Sequence, residues 1–201
     1  MQKLSSAAPG VGAEEEQERE NLESAEEHIE RKDNLREIAV NAEIAFCIGG
    51  HPGFNVPFHP SGDFEDYFLE FPEKTAISQC LLAPSKLISG ERVPYALHAN
   101  NRLPLTHDLF KNDAMIFAGT CRAVSLKRKR SKRFLTLRYP DFRYLGVWQT
   151  PDQPAPFVCL EPWTSLPATD GKRYDLLTKE DAQHLAPGKE YAAEWTLELH
   201  E

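Results

Sequence analysis

The sequence predicts an antiparallel all-β domain, a β-sandwich, that follows an acidic helical leader. Short apolar segments alternate with turn-rich pieces such as HPSGD (59–63), and no strand–helix alternation of the kind that builds a parallel sheet is present. The chain has 201 residues of which 41% are hydrophobic, which is enough for one sizeable core. The predicted strand segments are 42–49, 66–71, 115–119, 121–127, 133–139, 145–150 and 191–201.

The last of these segments has the clearest strand pattern. Five residues alternate with more polar neighbours in YAAEWTLELHE, namely Tyr191, Ala193, Trp195, Leu197 and Leu199. A period of two places such residues on one face of a strand. We therefore expect this face to pack on the core.

The leader and the body differ in composition. Residues 1–37 carry a net charge of −6 out of a total of −8, and their Glu- and Ala-rich pattern is typical of an exposed helix after a short disordered start. We accordingly divide the chain into a leader, 1–37, and a β-domain, 38–201. The near-neutral body does not indicate nucleic acid or an anionic membrane as a partner.

Two further features concern location and charge. The sequence contains neither an apolar run long enough to span a membrane nor the apolar region of a signal peptide, so we expect a cytoplasmic protein. The basic run KRKRSKR (127–133) lies between two predicted strands, and its sequence position favours a solvated hairpin tip over a nucleic-acid site.

The four cysteines are Cys47, Cys80, Cys121 and Cys159, which are far apart and form no CxxC pair. This spacing argues against a zinc site, and no metal ligand is predicted. Isolated cysteines in a reducing compartment are usually buried, reduced thiols, which is the expectation for all four.

The segment GGHPGFNVPF (49–58) is the first candidate for chemistry. Paired glycines follow an apolar strand, and Pro52 and Gly53 are expected to hold His51 in a constrained turn. A histidine in this position can donate a proton near neutral pH. The alternative is a structural histidine.

The segment PFVCLEPWTSL (156–166) is the second candidate for a catalytic segment. Glu161 is expected to follow an apolar strand, and it lies between Leu160 and Pro162. A glutamate among apolar residues usually has a partner or a catalytic task, and partial burial would make it a stronger base. A salt-bridged structural glutamate is the alternative.

An acid and a base on either side of a pyranose can open and reclose its hemiacetal. The base takes the proton of the C1 hydroxyl while the acid protonates the ring oxygen, and this chemistry requires neither a metal nor a cofactor. Four aromatic residues could offer an apolar platform for the sugar, or could equally belong to the core: Phe54, Tyr144, Trp148 and Trp163.

Five motifs resemble the aldose 1-epimerase (galactose mutarotase) superfamily, and most closely its bacterial branch associated with lactose operons. They are IGGHPGFNVPF (48–58), FEDYFLEF (64–71), DLFKNDAMIF (108–117), DFRYLGVWQTP (141–151) and APFVCLEPWTSL (155–166). Their order and spacing match along residues 43–201. The resemblance implies the C-terminal portion of a galactose mutarotase-like antiparallel β-sandwich.

The same resemblance implies an enzyme that interconverts the α and β anomers of a free aldose, a small hexose, without a cofactor. It makes His51 the general acid and Glu161 the general base. Asp113 matches an aspartate that binds sugar hydroxyls, with Asp108 as a weaker candidate. We further expect Phe54, Asn55, Trp148 and Trp163 to contact the sugar.

The chain departs from the family at its N-terminal end. Family members carry a long N-terminal half that supplies sugar contacts and part of the sandwich, and nothing in residues 1–42 resembles it. We therefore expect reduced activity, and strand edges that self-association or a partner could cover. Two alternatives remain open: a non-catalytic carbohydrate-binding β-sandwich remnant, and an interaction protein that acts through the acidic helix.

Overall fold

The computed structural model describes residues 42–58, 62–72, 76–98 and 101–201. In these ranges the chain forms short strands and three 3₁₀ helices. The strands are β1 Ile44–Phe46, β2 Gly53–Asn55, β3 Tyr67–Glu70, β4 Ser78–Leu82, β5 Ile88–Pro94, β6 Arg102–Pro104, β7 Met115–Ala118, β8 Ala123–Arg128, β9 Phe134–Arg138, β10 Tyr144–Trp148, β11 Phe157–Trp163, β12 Gln183–Leu185 and β13 Thr196–His200. The 3₁₀ helices are Phe64–Asp66, His107–Phe110 and Leu176–Thr178.

The strands form two main sheets, and every pairing between strands in them is antiparallel. One sheet has the order β2-β11-β10-β7-β4-β5, the other has the order β13-β9-β8-β3-β6, and β1 pairs separately with β12. A single large hydrophobic cluster takes residues from both main sheets, for example Leu69, Leu126 and Leu160. The predicted antiparallel β-sandwich is therefore confirmed. The predicted leader, 1–37, lies outside the described residues.

The two faces of the six-stranded sheet differ in what they contact: one packs against the other sheet, and the other carries Glu161. Leu145 and Val147 of β10 and Leu160 of β11 are fully buried and face the other sheet. The alternate residues of these strands point the opposite way, where Gly146 lies across from Glu161. The glutamate is thus on the face that is turned away from the main core.

The seven predicted strand segments each overlap a strand, while several other strands were not predicted. The unpredicted strands are β2, β4, β5, β6 and β12. Three of them have only three residues, and β5 reads ISGERVP, with glycine and proline in its sequence. Such short or interrupted segments lack the alternation that identifies a strand.

β13 confirms the predicted alternation but not the predicted burial. Leu197 and Leu199 lie across from the buried Leu137 and Leu135 of β9, so they share the core-facing side of the sheet. They are nevertheless 41% and 77% exposed, because β13 is the last strand of its sheet. Tyr191 and the other residues before Thr196 lie outside the strand.

The basic run is part of a hairpin, as predicted, although its first two residues are not at the tip. Lys127 and Arg128 end β8 and form ion pairs with Glu70 and Asp66 of β3 and the helix before it. Residues 129–133 form the exposed connection to β9. The charge of the run is therefore partly used within the five-stranded sheet.

The cysteines are all free, and only two of them are buried. Cys80 and Cys159 are buried, Cys121 is half-buried, and Cys47 is exposed, which corrects the expectation that all four are buried. Across the described residues, the three short helices include none with the length and apolar character needed to cross a membrane.

Candidate active site

The GGHP segment extends the six-stranded sheet along β11. Gly49 pairs with Trp163, and four residues further on Gly53 pairs with Cys159, so one antiparallel register runs through the whole segment. The Gly50 N–H donates to the Pro162 carbonyl over 2.9 Å, in the same register. His51 therefore lies directly across from Glu161.

This register corrects two predictions about local structure. His51 does not occupy a turn but an extended segment that is paired with its neighbour, and Glu161 lies within β11 rather than after it. The two residues form a cross-strand pair without mutual backbone hydrogen bonds, the type of pair in which side chains approach most closely. His51 Nε2 is 3.4 Å from Glu161 Oε1.

The pair has one accessible and one enclosed member. The His51 side chain is 61% exposed, whereas the Glu161 side chain is only 6% exposed. The histidine can therefore meet a ligand from solvent, and the carboxylate forms the floor beneath it.

The glycines of the segment leave room for the larger side chains of β11. A Cβ on Gly49 would lie 2.5 Å from Cδ1 of Trp163, a distance that the ring could not tolerate. A Cβ on Gly146, in β10, would lie 3.0 Å from the same indole and 3.3 Å from Cβ of Glu161. The indole of Trp163 thus fits between two strands that have no side chain at these points.

Burial raises the pKa of Glu161 above its usual value, and burial is the largest contribution. The positive charge available on His51 and a hydrogen bond from Trp163 oppose this shift, while the charge of Asp113 adds to it. The indole N–H is the donor in that hydrogen bond, since it has no acceptor lone pair. The carboxylate is thereby made a stronger base while two neighbours keep it available in its charged form.

Two of the predicted aromatic residues accompany the pair. Trp163 lines a cavity of about 430 Å³ together with His51 and Glu161. The ring of Trp148 contacts His51 edge-on, with ring centroids 5.7 Å apart, and lies 6.0 Å from the ring of Phe157. The pair therefore has aromatic rings on both sides, of the kind that pack against the C–H faces of a sugar.

The two candidate aspartates differ in position. Asp113 precedes β7 and is near enough to Glu161 for its charge to raise the pKa of that carboxyl. Its own Oδ1 accepts a hydrogen bond of 2.8 Å from the Ala114 N–H. Asp108 is mostly exposed and pairs with Lys111 at 2.9 Å. The structure thus brings Asp113, rather than Asp108, towards the pair.

Phe54 and Asn55 are not brought to the cavity of His51 and Glu161. Phe54 lies across from the buried Val158, on the core side of the sheet, and packs against the main hydrophobic cluster. Asn55 shares the outer face, across from Phe157, but lines a separate depression beside Leu199. Their side chains therefore lie away from the predicted position of the sugar.

The sequence interpretation missed Phe157 and Cys159, although a signal for them exists. Alternate residues of β11 point to one side of a strand, so Phe157, Cys159, Glu161 and Trp163 share the outer face. Cys159 belongs with His51 and Glu161 to a group whose possible ligand atoms all lie within 4.8 Å of one another. Within the part of the chain that the structure describes, these three residues form a group that could hold a metal ion.

The chain is similar to two curated proteins and to several solved structures. No family model matches it. The LacX proteins of Lactococcus lactis subsp. lactis, plasmid and chromosomal, are each 34% identical to it over 129 residues, which are 61% of this chain and 42% of theirs. The chain thus spans less than half the length of these relatives.

Two solved structures from lactobacilli are similar in fold and in sequence. The galactose mutarotase related enzyme of Lactobacillus acidophilus matches with a TM-score of 0.70 and 29% identity, over 80% of this chain and 53% of that one. The galactose mutarotase-like protein of Lactobacillus casei matches with a TM-score of 0.66 and 30% identity, over 79% and 54%. These matches confirm the resemblance to the aldose 1-epimerase (galactose mutarotase) superfamily, whose galactose mutarotase-like fold the described residues adopt.

Proposed function

We propose that the chain interconverts the α and β anomers of a free aldose, with His51 as general acid and Glu161 as general base. The observation that carries this proposal is the 3.4 Å separation of His51 Nε2 and Glu161 Oε1, two side chains that line one cavity. Ring opening needs an acid at the ring oxygen and a base at the C1 hydroxyl. Both oxygens are bonded to the same carbon, so the two groups must lie close together, as these do.

The proton transfers balance over one turnover. Glu161 takes the proton of the C1 hydroxyl as the protonated His51 donates to the ring oxygen, and the C1–ring oxygen bond breaks to give the aldehyde. Rotation about C1–C2 then presents the other face of the carbonyl. On closure the neutral His51 recovers its proton from the attacking hydroxyl and Glu161 returns its own to the carbonyl oxygen, so no net proton is consumed.

The lining of the cavity favours an uncharged sugar. Among the described residues that line it, none is a lysine or an arginine, the side chains that proteins use for phosphate groups. His51 and Glu161 offer hydrogen-bonding groups to a sugar, and Trp163 offers an apolar surface. A neutral hexose such as glucose or galactose fits this lining better than a sugar phosphate.

Polarimetry on freshly dissolved α-D-glucose and α-D-galactose tests the proposal. We expect mutarotation faster than in buffer alone, and a loss of at least 100-fold in Glu161→Gln, which removes the base at constant volume. Asp108→Asn is the matched control, since Asp108 is exposed and paired with Lys111. Mutarotation at the buffer rate from the folded, unmodified chain would contradict the proposal.

Sugar binding distinguishes the proposal from a carbohydrate-binding remnant. Proton NMR line broadening of the sugar reports binding without turnover. If the unmodified chain binds galactose but does not accelerate mutarotation, the remnant is the better description. Binding that survives in Glu161→Gln while turnover is lost supports the enzyme.

A further inference from the structure

Three chemically different ligands converge on the outer face of β11. Cys159 and Glu161 are separated by one residue, so their side chains leave the strand on the same side. His51 reaches them from the neighbouring segment, where it lies across from Glu161. The ligand atoms of all three lie within 4.8 Å of one another.

The distances suit a tetrahedral zinc ion better than a direct hydrogen bond. With Zn–N and Zn–O bonds of about 2.0–2.1 Å, two ligand atoms of a tetrahedral site are about 3.3 Å apart. His51 Nε2 and Glu161 Oε1 are 3.4 Å apart, which is beyond the usual length of a charge-assisted N–H···O bond. The sulfur of Cys159 also lies within 4.8 Å of both atoms, and a Zn–S bond is longer than the other two, at about 2.3 Å.

The ligand set selects the class of metal. A sulfur, an imidazole and a carboxylate suit zinc and cobalt, while hard ions such as magnesium and calcium prefer oxygen ligands alone. Three protein ligands leave the fourth position of a tetrahedral site open. Here that position would face the cavity of about 430 Å³ from which His51 is accessible.

We propose that His51, Cys159 and Glu161 form a binding site for Zn²⁺, which closes the proposed active site by occupying its acid and base. This regulatory consequence rests on the proposed function, whereas the metal site itself does not. A bound ion takes the lone pairs of Nε2 and Oε1 that proton transfer requires. Zinc and turnover therefore exclude each other at this pair.

Cobalt binding tests the site without any enzymatic assay. The full chain, reduced and freed of metal, is titrated with CoCl₂ while the visible d–d bands and the thiolate-to-cobalt charge-transfer band are recorded. We expect one equivalent of tetrahedral Co²⁺ with a charge-transfer band, and displacement of both signals by ZnCl₂. Absence of one-to-one binding would overturn the proposal.

Two variants and a matched control locate the ion. Cys159→Ser should abolish the charge-transfer band and weaken Zn²⁺ binding at least tenfold. His51→Ala, at an exposed side chain whose loss does not threaten folding, should weaken it by a similar factor. Cys47→Ser is the control, because Cys47 is an exposed thiol that lines the same cavity. Binding that survives in Cys159→Ser, or is lost in Cys47→Ser, would overturn the assignment.

Mutarotation assays then separate the site from the function. With EDTA present, the assay measures the mutarotation rate of the metal-free chain. If this rate does not exceed the rate in buffer, the proposed function is contradicted. The metal site is then still decided by the cobalt titration. In an active chain, Zn²⁺ should inhibit, and the concentration for half inhibition should rise at least tenfold in Cys159→Ser. Zinc that binds through Cys159 without inhibiting, or that stimulates turnover, would overturn the regulatory consequence.

Discussion

Glu161 is the residue on which the proposed chemistry depends most. Some of its neighbours raise the pKa of its carboxyl group and others lower it. Burial and the charge of Asp113 raise its pKa, while His51 and the Trp163 N–H lower it. A general base works only when it is deprotonated, so its activity is present above its pKa and lost below it. The net shift of the pKa is upward, which moves this loss towards neutral pH.

The pH dependence of kcat/KM, measured with EDTA present, should therefore fall in acid with a midpoint above the ordinary glutamate value of 4.5. Asp113→Asn should move this midpoint to lower pH, because it removes a negative charge that disfavours ionised Glu161. Asp108→Asn serves as the control and should leave the midpoint in place. A midpoint that stays fixed or rises in Asp113→Asn would contradict this electrostatic account.

Gly49 and Gly53 lie on either side of His51 on the same face, yet they should differ sharply when replaced. A Cβ on Gly49 would be 2.5 Å from the Trp163 ring, whereas a Cβ on Gly53 would meet the Cys159 sulfur at an ordinary 3.5 Å. We expect Gly49→Ala to cost about 1–3 kcal/mol of unfolding free energy through overpacking. Gly53→Ala should change it by less than about 1 kcal/mol. Urea unfolding measures both, and equal effects would show that the indole moves freely.

At the scale of strands, β11 shows how much of the site was predictable. PFVCLEPW is an almost continuous apolar run, and the period of two that every strand has places Phe157, Cys159, Glu161 and Trp163 on one face. The family resemblance supplied His51 and Glu161 as partners. The register that sets them opposite each other joins residues about 110 positions apart, and no local pattern specifies such a pairing. His51 and Cys159 are similarly far apart in the sequence, so no local motif such as CxxC connects them.

β13 illustrates a second limit, since alternation predicts which side a residue faces but not whether that side is covered. Leu199 and Leu135 are cross-strand partners on the same side of the sheet, and they are 77% and 7% exposed. Leu135→Ala should therefore cost about 2–5 kcal/mol of unfolding free energy, as for a core leucine. Leu199→Ala should cost no more than about 0.5 kcal/mol. Comparable losses in the two variants would indicate that the end of β13 is covered in solution.

The hydrophobic core of the β-domain is covered between the two main sheets but open to solvent along one side. The last strands of the two main sheets at this side are β2 and β13. Between them lies a depression of about 490 Å³, lined by Phe54, Phe58, Leu135 and Leu199 among others. The edge of the core cluster is therefore open to solvent here. A contiguous apolar depression of this kind differs from a single exposed leucine, which is normal on a protein surface.

An open apolar depression of this kind should bind a hydrophobic dye in the native state. We expect the folded full chain to enhance the fluorescence of anilinonaphthalene sulfonate. Near-ultraviolet circular dichroism of the same sample should show fixed tertiary packing, which excludes a molten globule as the source of the signal. Leu199→Lys, at an exposed position in the depression, should reduce this enhancement severalfold without unfolding the chain. Leu87→Lys is the matched control, because Leu87 is also exposed but lies outside that lining. Equal reductions in both variants would place the dye elsewhere, and no enhancement at all in the native chain would mean that the side between β2 and β13 is closed in solution.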